Sequence, residues 1–188
     1  FRSPGIRPDA GDIPEAVRRG ALLTSEMEWF CDATPATVIA VTGSDGKTTT
    51  TTLTHLLLSE AAKRRGGTAY VGGNIGTPLL SRVSEMKQCD FAVLELSSFQ
   101  LDTTSSLKCA SAAVLNVTED HLDWHGDMKA YAEAKGRIFK QDTVRVVNRE
   151  DAETLRLAQG GPVRTFGGGE PVKALKGGFI LRPLVGHL

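Results

Sequence analysis

No apolar run in this chain approaches the ~20 residues that a membrane-crossing helix requires, and the opening Phe1-Arg2-Ser3-Pro4-Gly5 lacks the apolar core of a signal peptide. Both absences argue against membrane insertion. Net charge is missing too: 22 basic side chains face 22 acidic ones, so the electrostatic footprint of sequence-independent nucleic-acid binding is absent. Cys31, Cys89 and Cys109 are odd in number, far apart and without a Cys-x-x-Cys pair, which indicates neither a disulfide framework nor a zinc knuckle. They read as reduced thiols, and the expected setting is the cytoplasm. No internal repeat is found. The 188 residues, 40% of them apolar, suffice for one domain of ordinary size, whose expected partners are small molecules.

Against this background one segment carries chemistry. An apolar run, 37–41, gives way at Gly43-Ser44-Asp45-Gly46-Lys47-Thr48-Thr49 to a helix-like stretch ending near Lys63. A strand delivers the chain, glycines let it turn tightly, and the first amides of the next helix point unsatisfied toward an anion. In such a loop Lys47 meets the β- and γ-phosphates of a nucleotide and the Thr48 hydroxyl reaches Mg²⁺. Ser44 and Asp45 alone separate Gly43 from Gly46, fewer residues than the common pattern has. An ordinary strand-to-helix turn is the plainer alternative, and the strand before and helix after favour the phosphate loop.

Four more short apolar runs, 68–71, 91–96, 112–117 and 144–147, suit strands covered on both faces, as in a parallel sheet. Helix-like stretches fall between them. The stretch 48–64 places Leu53, Leu56, Leu57 and Ala61 on one face, although its five consecutive threonines are poor helix formers. A helix over 78–86 opens with Thr77 as cap and Pro78 at its first position, and 128–140 groups Tyr131, Lys135 and Ile138. The alternation predicts an α/β fold, a mostly parallel sheet flanked by helices, with ligands at the carboxyl ends of the strands. Ser3-Pro4-Gly5 reads as a turn, 13–19 as a short helix, and the sequence after Phe166 as loop with at best a strand at 179–181.

The polar residues of interest fall at predicted strand ends and helix starts. Glu95 interrupts an apolar strand, which is costly unless the carboxylate is paired or bound to a metal; a serine or threonine neighbour is the plainer partner. His121 and His125 stand four apart, a spacing that suggests zinc. Leu122 occupies the place where a His-Glu-x-x-His protease needs its base, which disfavours that reading, and His125 reads as a hydrogen-bonded structural residue.

Thr42-Gly-Ser-Asp-Gly-Lys-Thr-Thr-Thr50, Gly72-Gly-Asn-Ile-Gly76, Leu94-Glu-Leu-Ser-Ser-Phe-Gln-Leu101, Asn116-Val-Thr-Glu-Asp-His-Leu-Asp123 and Ala134-Lys-Gly-Arg-Ile138 follow one another in the order and approximate spacing of the Mur ligases. The chain resembles that family over residues 1–166. Leu94 to Leu101, followed by Thr103-Thr104-Ser105-Ser106-Leu107, is most similar to its D-glutamate-adding branch. The resemblance implies a P-loop-type ATP-binding central domain. Residues 1–34 would be the end of an N-terminal UDP-substrate domain with its linker, 35–166 an incomplete central domain, and 167–188 an unassigned tail.

It implies further an ATP-dependent, amide-forming ligase of peptidoglycan synthesis. Such an enzyme joins D-glutamate to UDP-N-acetylmuramoyl-L-alanine through an acyl phosphate, as a cytoplasmic monomer. By the family pattern Gly43, Ser44, Asp45, Gly46, Lys47, Thr48 and Thr49 hold ATP, Thr48 and Glu95 hold a first Mg²⁺, and His121 with Lys135 serves a second. Lys47, His121 and Lys135 are the catalytic set, while Ser3 and Asn74 contact the UDP-sugar. An ammonium cannot ligate a metal; in these ligases the lysine matching Lys135 carries CO₂ as a carbamate. A lysine of pKa roughly 10.4 is almost wholly charged at neutral pH, so burial must help to expose the amine.

Two departures bear on this. Asp45 stands where the family often has Asn, and adds negative charge beside the triphosphate. The uridine-binding domain is nearly absent, and neither the His-Asn-x-x-Asn segment nor the closing C-terminal domain is found, so the chain is expected to be a piece of a longer enzyme. Folylpolyglutamate synthases share the loop type, but 94–100 and 72–76 favour the peptidoglycan family. A non-catalytic nucleotide-binding remnant is the alternative from another class.

Overall fold

A computed structural model of the chain describes residues 1–168. The expected strand at 179–181 lies outside them. Strands β1 (Thr37–Thr42), β2 (Ala69–Gly73), β3 (Phe91–Glu95), β4 (Ser111–Val114), β5 (Val144–Asn148) and β6 (Val163–Phe166) form one sheet in the order β2-β3-β1-β4-β5-β6. Every neighbouring pair is parallel. Val38, Ala40, Val41, Ala92, Val93, Leu94, Ala112 and Val114 are all buried, so the uninterrupted apolar runs do what a doubly covered parallel sheet asks of them.

The helices are α1 (Ile13–Arg18), α2 (Glu26–Ala33), α3 (Lys47–Lys63), α4 (Ser98–Leu101), α5 (Leu122–His125), α6 (Met128–Gly136) and α7 (Ala152–Leu157). None of them, among the described residues, is long and apolar enough to cross a membrane. The Ser3 turn closes through the Ile6 amide, which donates to the Ser3 carbonyl at 3.0 Å. Sequence reading missed α2, capped by Ser25, whose Met27, Phe30 and Cys31 join the same core as the strands.

Three points depart from the sequence reading. First, the segment 78–86 is not an α-helix: a 3-10 turn runs over Leu80–Glu85 with no side-chain cap. It is pinned instead by Leu79, which packs on Gly72 in the core, and by Glu26, whose carboxylate accepts the Leu80 amide at 2.9 Å. Second, β6 has no apolar run to announce it. Its sequence is Val-Arg-Thr-Phe, and as a sheet edge it needs only backbone pairing with β5.

The third point concerns the phase of α3. Leu53, Leu56 and Leu57 are 44%, 57% and 49% exposed, while Thr51 and Ala62 are buried against the sheet. The helix packs on β2 and β3 through the buried Thr51 and Ala62, and the His55 ring nitrogen lies 3.0 Å from the Ala69 carbonyl. The loop before α3 sets its rotation. Because Lys47 and Thr48 are held by their own partners, the leucines turn outward whatever their hydropathy.

The topology places the site. From β1 the chain moves to β2 on one side, whereas from β4 it moves to β5 on the other, so the carboxyl ends of the adjacent strands β1 and β4 flank a switch point. The loop after β1 and the loop after β4 meet there.

Candidate functional site

β1 ends at Thr42, and α3 begins at Lys47 with Gly46 as its N-cap at φ 75°, a conformation that glycine adopts without strain. No side chain caps α3, so its first amides are left for an anion. Gly43 is equally constrained, since a Cβ there would sit 3.0 Å from the Leu115 Cβ. The Lys47 ammonium folds back onto this loop, donating to the Gly43 carbonyl at 3.0 Å and to the Ser44 carbonyl at 2.7 Å.

Glu95 closes β3 beside the end of β1 and is 1% exposed. Both of its carboxylate oxygens are engaged. Oε2 accepts the Thr48 hydroxyl at 2.9 Å and Oε1 accepts the Asn74 amide at 2.9 Å. The expected cost of a carboxylate in a sheet strand is thus met by a threonine from the phosphate loop and an asparagine from the loop after β2. Gly73 must be glycine, because its φ is 99° and a Cβ would run into the Glu95 carbonyl.

Lys135, on α6, is 2% exposed and donates to the Gly43 carbonyl at 2.8 Å. Burial, then the nearby Lys47, lowers its pKa to about 7. Its ammonium also lies 4.4 Å from the centre of the Tyr131 ring. His121 reaches the same neighbourhood, its ring 6.2 Å from that of Tyr131 and 4.9 Å from Phe99. It caps α5 at φ 51°, the His125 amide donates to its carbonyl at 3.1 Å, and both histidine rings pack against Phe99 and Tyr131. His125 is held as expected: its Nε2 lies 3.0 Å from the Ser98 hydroxyl, and its ring stacks on Phe99 at 5.6 Å. Tyr131, noted in the sequence only for its place on a helix face, brings its hydroxyl to 3.2 Å from the Ser44 hydroxyl.

Ser3 lies apart from this cluster. It lines a cavity of about 320 Å³ with Arg2, Ser25, Gln100 and Gly73, the residue before Asn74. Among the described residues no three His, Cys, Asp or Glu side chains converge as a ready metal cage. The Thr48 hydroxyl and the Glu95 carboxylate are nonetheless adjacent hard oxygen donors, a pair that fits Mg²⁺ shared with nucleotide phosphates.

A parallel sheet with a glycine-turned loop, a lysine and a threonine at a switch point defines a phosphate-loop α/β domain. The Mur ligase middle-domain model matches residues 41–182, and the chain belongs to that family. It is 44% identical over 191 aligned positions to a UDP-N-acetylmuramoylalanine--D-glutamate ligase of Paraburkholderia phymatum, covering 91% of this chain and 37% of that protein. It is 53% identical over 140 positions to the ligase of the same name in Ruminiclostridium cellulolyticum, covering 74% of this chain and 29% of that protein. The chain therefore spans about a third of the length of these relatives.

Solved structures of like fold include MurF from Thermotoga maritima in complex with ADP, with a TM-score of 0.50, 21% identity and 82% of this chain covered against 43% of that one. Another is Escherichia coli FolC in complex with DHPP and ADP, with a TM-score of 0.54, 19% identity and 77% of this chain covered against 47%.

Proposed function

We propose that the chain is the ATP-binding part of a ligase that joins D-glutamate to UDP-N-acetylmuramoyl-L-alanine in peptidoglycan synthesis, acting in the cytoplasm as a monomer. Residues 1–34 would belong to the substrate-binding unit and 35–166 to the central one. The observation that carries this reading is the Glu95 carboxylate, which joins Thr48 of the phosphate loop to Asn74 of the loop after β2, the residue that would face the UDP-sugar. The relatives' name and the ADP held by two like-folded structures support it.

In the proposed reaction the alanine carboxylate attacks the γ-phosphorus of ATP, forming an acyl phosphate and releasing ADP. The D-glutamate amine then attacks the acyl carbon, an amide forms as inorganic phosphate leaves, and the amine proton passes to solvent or base. Both steps crowd anions together, so catalysis rests on positioning and on fixed positive charge. Lys47 would leave the Gly43 and Ser44 carbonyls for the β- and γ-phosphates, and the α3 amides would hold the same anion.

Thr48 and Glu95 would hold Mg²⁺, which neutralises phosphate charge when bound. His121 and Lys135 would serve a second ion, Lys135 as a carbamate; its lowered pKa makes the free amine available to add CO₂ with loss of a proton. Ser3 and Asn74 would face the UDP-sugar, Ser3 from the cavity that reaches Gly73.

The test is phosphate release by the intact parent protein. Release is expected with ATP, UDP-N-acetylmuramoyl-L-alanine and D-glutamate together, and not when either acceptor is omitted. Turnover with a folate and L-glutamate instead would transfer the chain to the folylpolyglutamate synthases, whose fold it shares.

A further inference from the structure

Asn116, two residues beyond the end of β4 at Val114, touches the phosphate loop three times. Its backbone carbonyl accepts the Ser44 amide at 3.1 Å. Its side-chain Oδ1 accepts the Asp45 amide at 2.8 Å, and its Nδ2 donates to the Asp45 carbonyl at 3.2 Å. Neither backbone neighbour is loose: the Leu115 amide donates to the Thr42 carbonyl at 2.9 Å and the Val117 amide to the Asp151 carboxylate at 2.8 Å. The Asn116 side chain therefore projects from an anchored backbone, which is the condition for holding another group precisely placed.

The consequence follows from the planarity of the peptide bond. In a trans peptide the carbonyl and the amide hydrogen point in opposite directions. With the Asp45 N–H fixed on Asn116, the Ser44 carbonyl must point the other way, and that is where the Lys47 ammonium takes it at 2.7 Å. With the Asp45 carbonyl fixed on Asn116, the Gly46 N–H likewise points away from Asn116. One side-chain amide, used both as donor and as acceptor, sets two successive peptide planes.

We propose that Asn116 is a positioning residue that orients the phosphate loop, turning the Gly46 amide toward a nucleotide phosphate and holding the Ser44 carbonyl where Lys47 rests before that anion arrives. The proposal rests on the reading of the loop as a nucleotide site. Glycine at 46 leaves that peptide free to rotate, so the orientation needs an external clamp. An aspartate would keep the acceptor and lose the donor; a leucine would lose both.

The test pairs two measurements on the 188-residue chain. Amide hydrogen exchange of Asp45 reports the clamp directly, and titration with Mg²⁺ and a non-hydrolysable ATP analogue reports its use. Asn116→Leu should speed Asp45 exchange and weaken analogue binding about ten- to a hundredfold, as expected for two lost hydrogen bonds. Asn116→Asp should keep Asp45 protected yet still weaken binding, a split that general loosening of the fold would not give. Thermal melts of the unliganded variants identify any that fail to fold, and the aspartate variant then carries the comparison. Unchanged Asp45 exchange in Asn116→Leu, or unchanged affinity in both variants, overturns the proposal. If the unsubstituted chain binds no analogue, the nucleotide reading falls by itself, and the proposed role of Asn116 falls with it even where exchange confirms the contact.

Discussion

Lys47 and Lys135 donate to the same carbonyl oxygen, that of Gly43, at 3.0 and 2.8 Å. Two ammonium groups on one acceptor repel each other, and the lowered pKa of Lys135, caused first by burial and next by Lys47, relieves that repulsion. The two lysines thus gather positive charge at the Gly43 turn. A triphosphate would draw Lys47 off Gly43 and leave the carbonyl to Lys135.

Removing that charge should show in nucleotide affinity. Lys47→Met is expected to weaken binding of Mg²⁺ and an ATP analogue by at least about tenfold, the scale of a charge-assisted hydrogen bond. Calorimetric titration of the 188-residue chain checks it, with acyl-phosphate formation in the parent protein as the second readout. Undiminished affinity would remove Lys47 from the phosphates.

Glu95→Gln separates metal from nucleotide. The amide keeps the volume, and the Thr48 hydroxyl can turn to accept from it, so the fold should survive at a cost of about 1–3 kcal/mol for the disturbed hydrogen bonds. The Mg²⁺-dependent increment in nucleotide affinity should disappear while the Mg²⁺-free affinity stays. Titrations with and without Mg²⁺ decide it; an increment that persists would take Glu95 out of the metal site.

The phase of α3 is open to a direct test. Leu57→Glu, on the exposed face, should change unfolding free energy by no more than about 0.5 kcal/mol. Ala62→Leu, against the sheet, should cost about 1–3 kcal/mol through overpacking. Urea denaturation of the two variants measures both. The reverse ranking would mean that the leucines face the core after all.

Acid should loosen the docking of α2. Glu28 is raised by burial, but the hydrogen bonds it accepts from Ser105 and Ser106 outweigh this, and its pKa lies below the ordinary 4.5. For a depressed carboxylate the stabilisation is fully present above the unfolded pKa and is lost as pH falls through the folded one. Wild-type stability should therefore drop across the acid range below 4.5 more steeply than that of Glu28→Gln, which lacks this titration. Denaturant midpoints measured down that range give the comparison, and parallel curves would refute it.

Much of this protein was legible before any coordinates. The apolar runs gave five of the six strands, because a strand buried on both faces has no polar alternation to confuse it. Gly43 to Thr49 declared the loop, since glycine, lysine and threonine have few other reasons to meet between a strand and a helix. Glu95 declared itself by its cost: a carboxylate in an apolar strand must have partners.

Tertiary structure decided the rest. Sequence cannot say that Lys135 on α6 meets Gly43, that Asn116 grips Asp45, or that Tyr131 reaches Ser44, because each contact spans a long separation and exists only where β1 and β4 lie side by side. Nor can periodicity fix a helix whose rotation is set at its first turn. Thr48 is tied to Glu95 and Lys47 to Gly43, so the sheet receives Thr51, His55 and Ala62 while the leucines that dominate the apolar pattern face outward. Local pattern reports what a segment would bury if it were free to choose; here the loop that prepares the site chose for it.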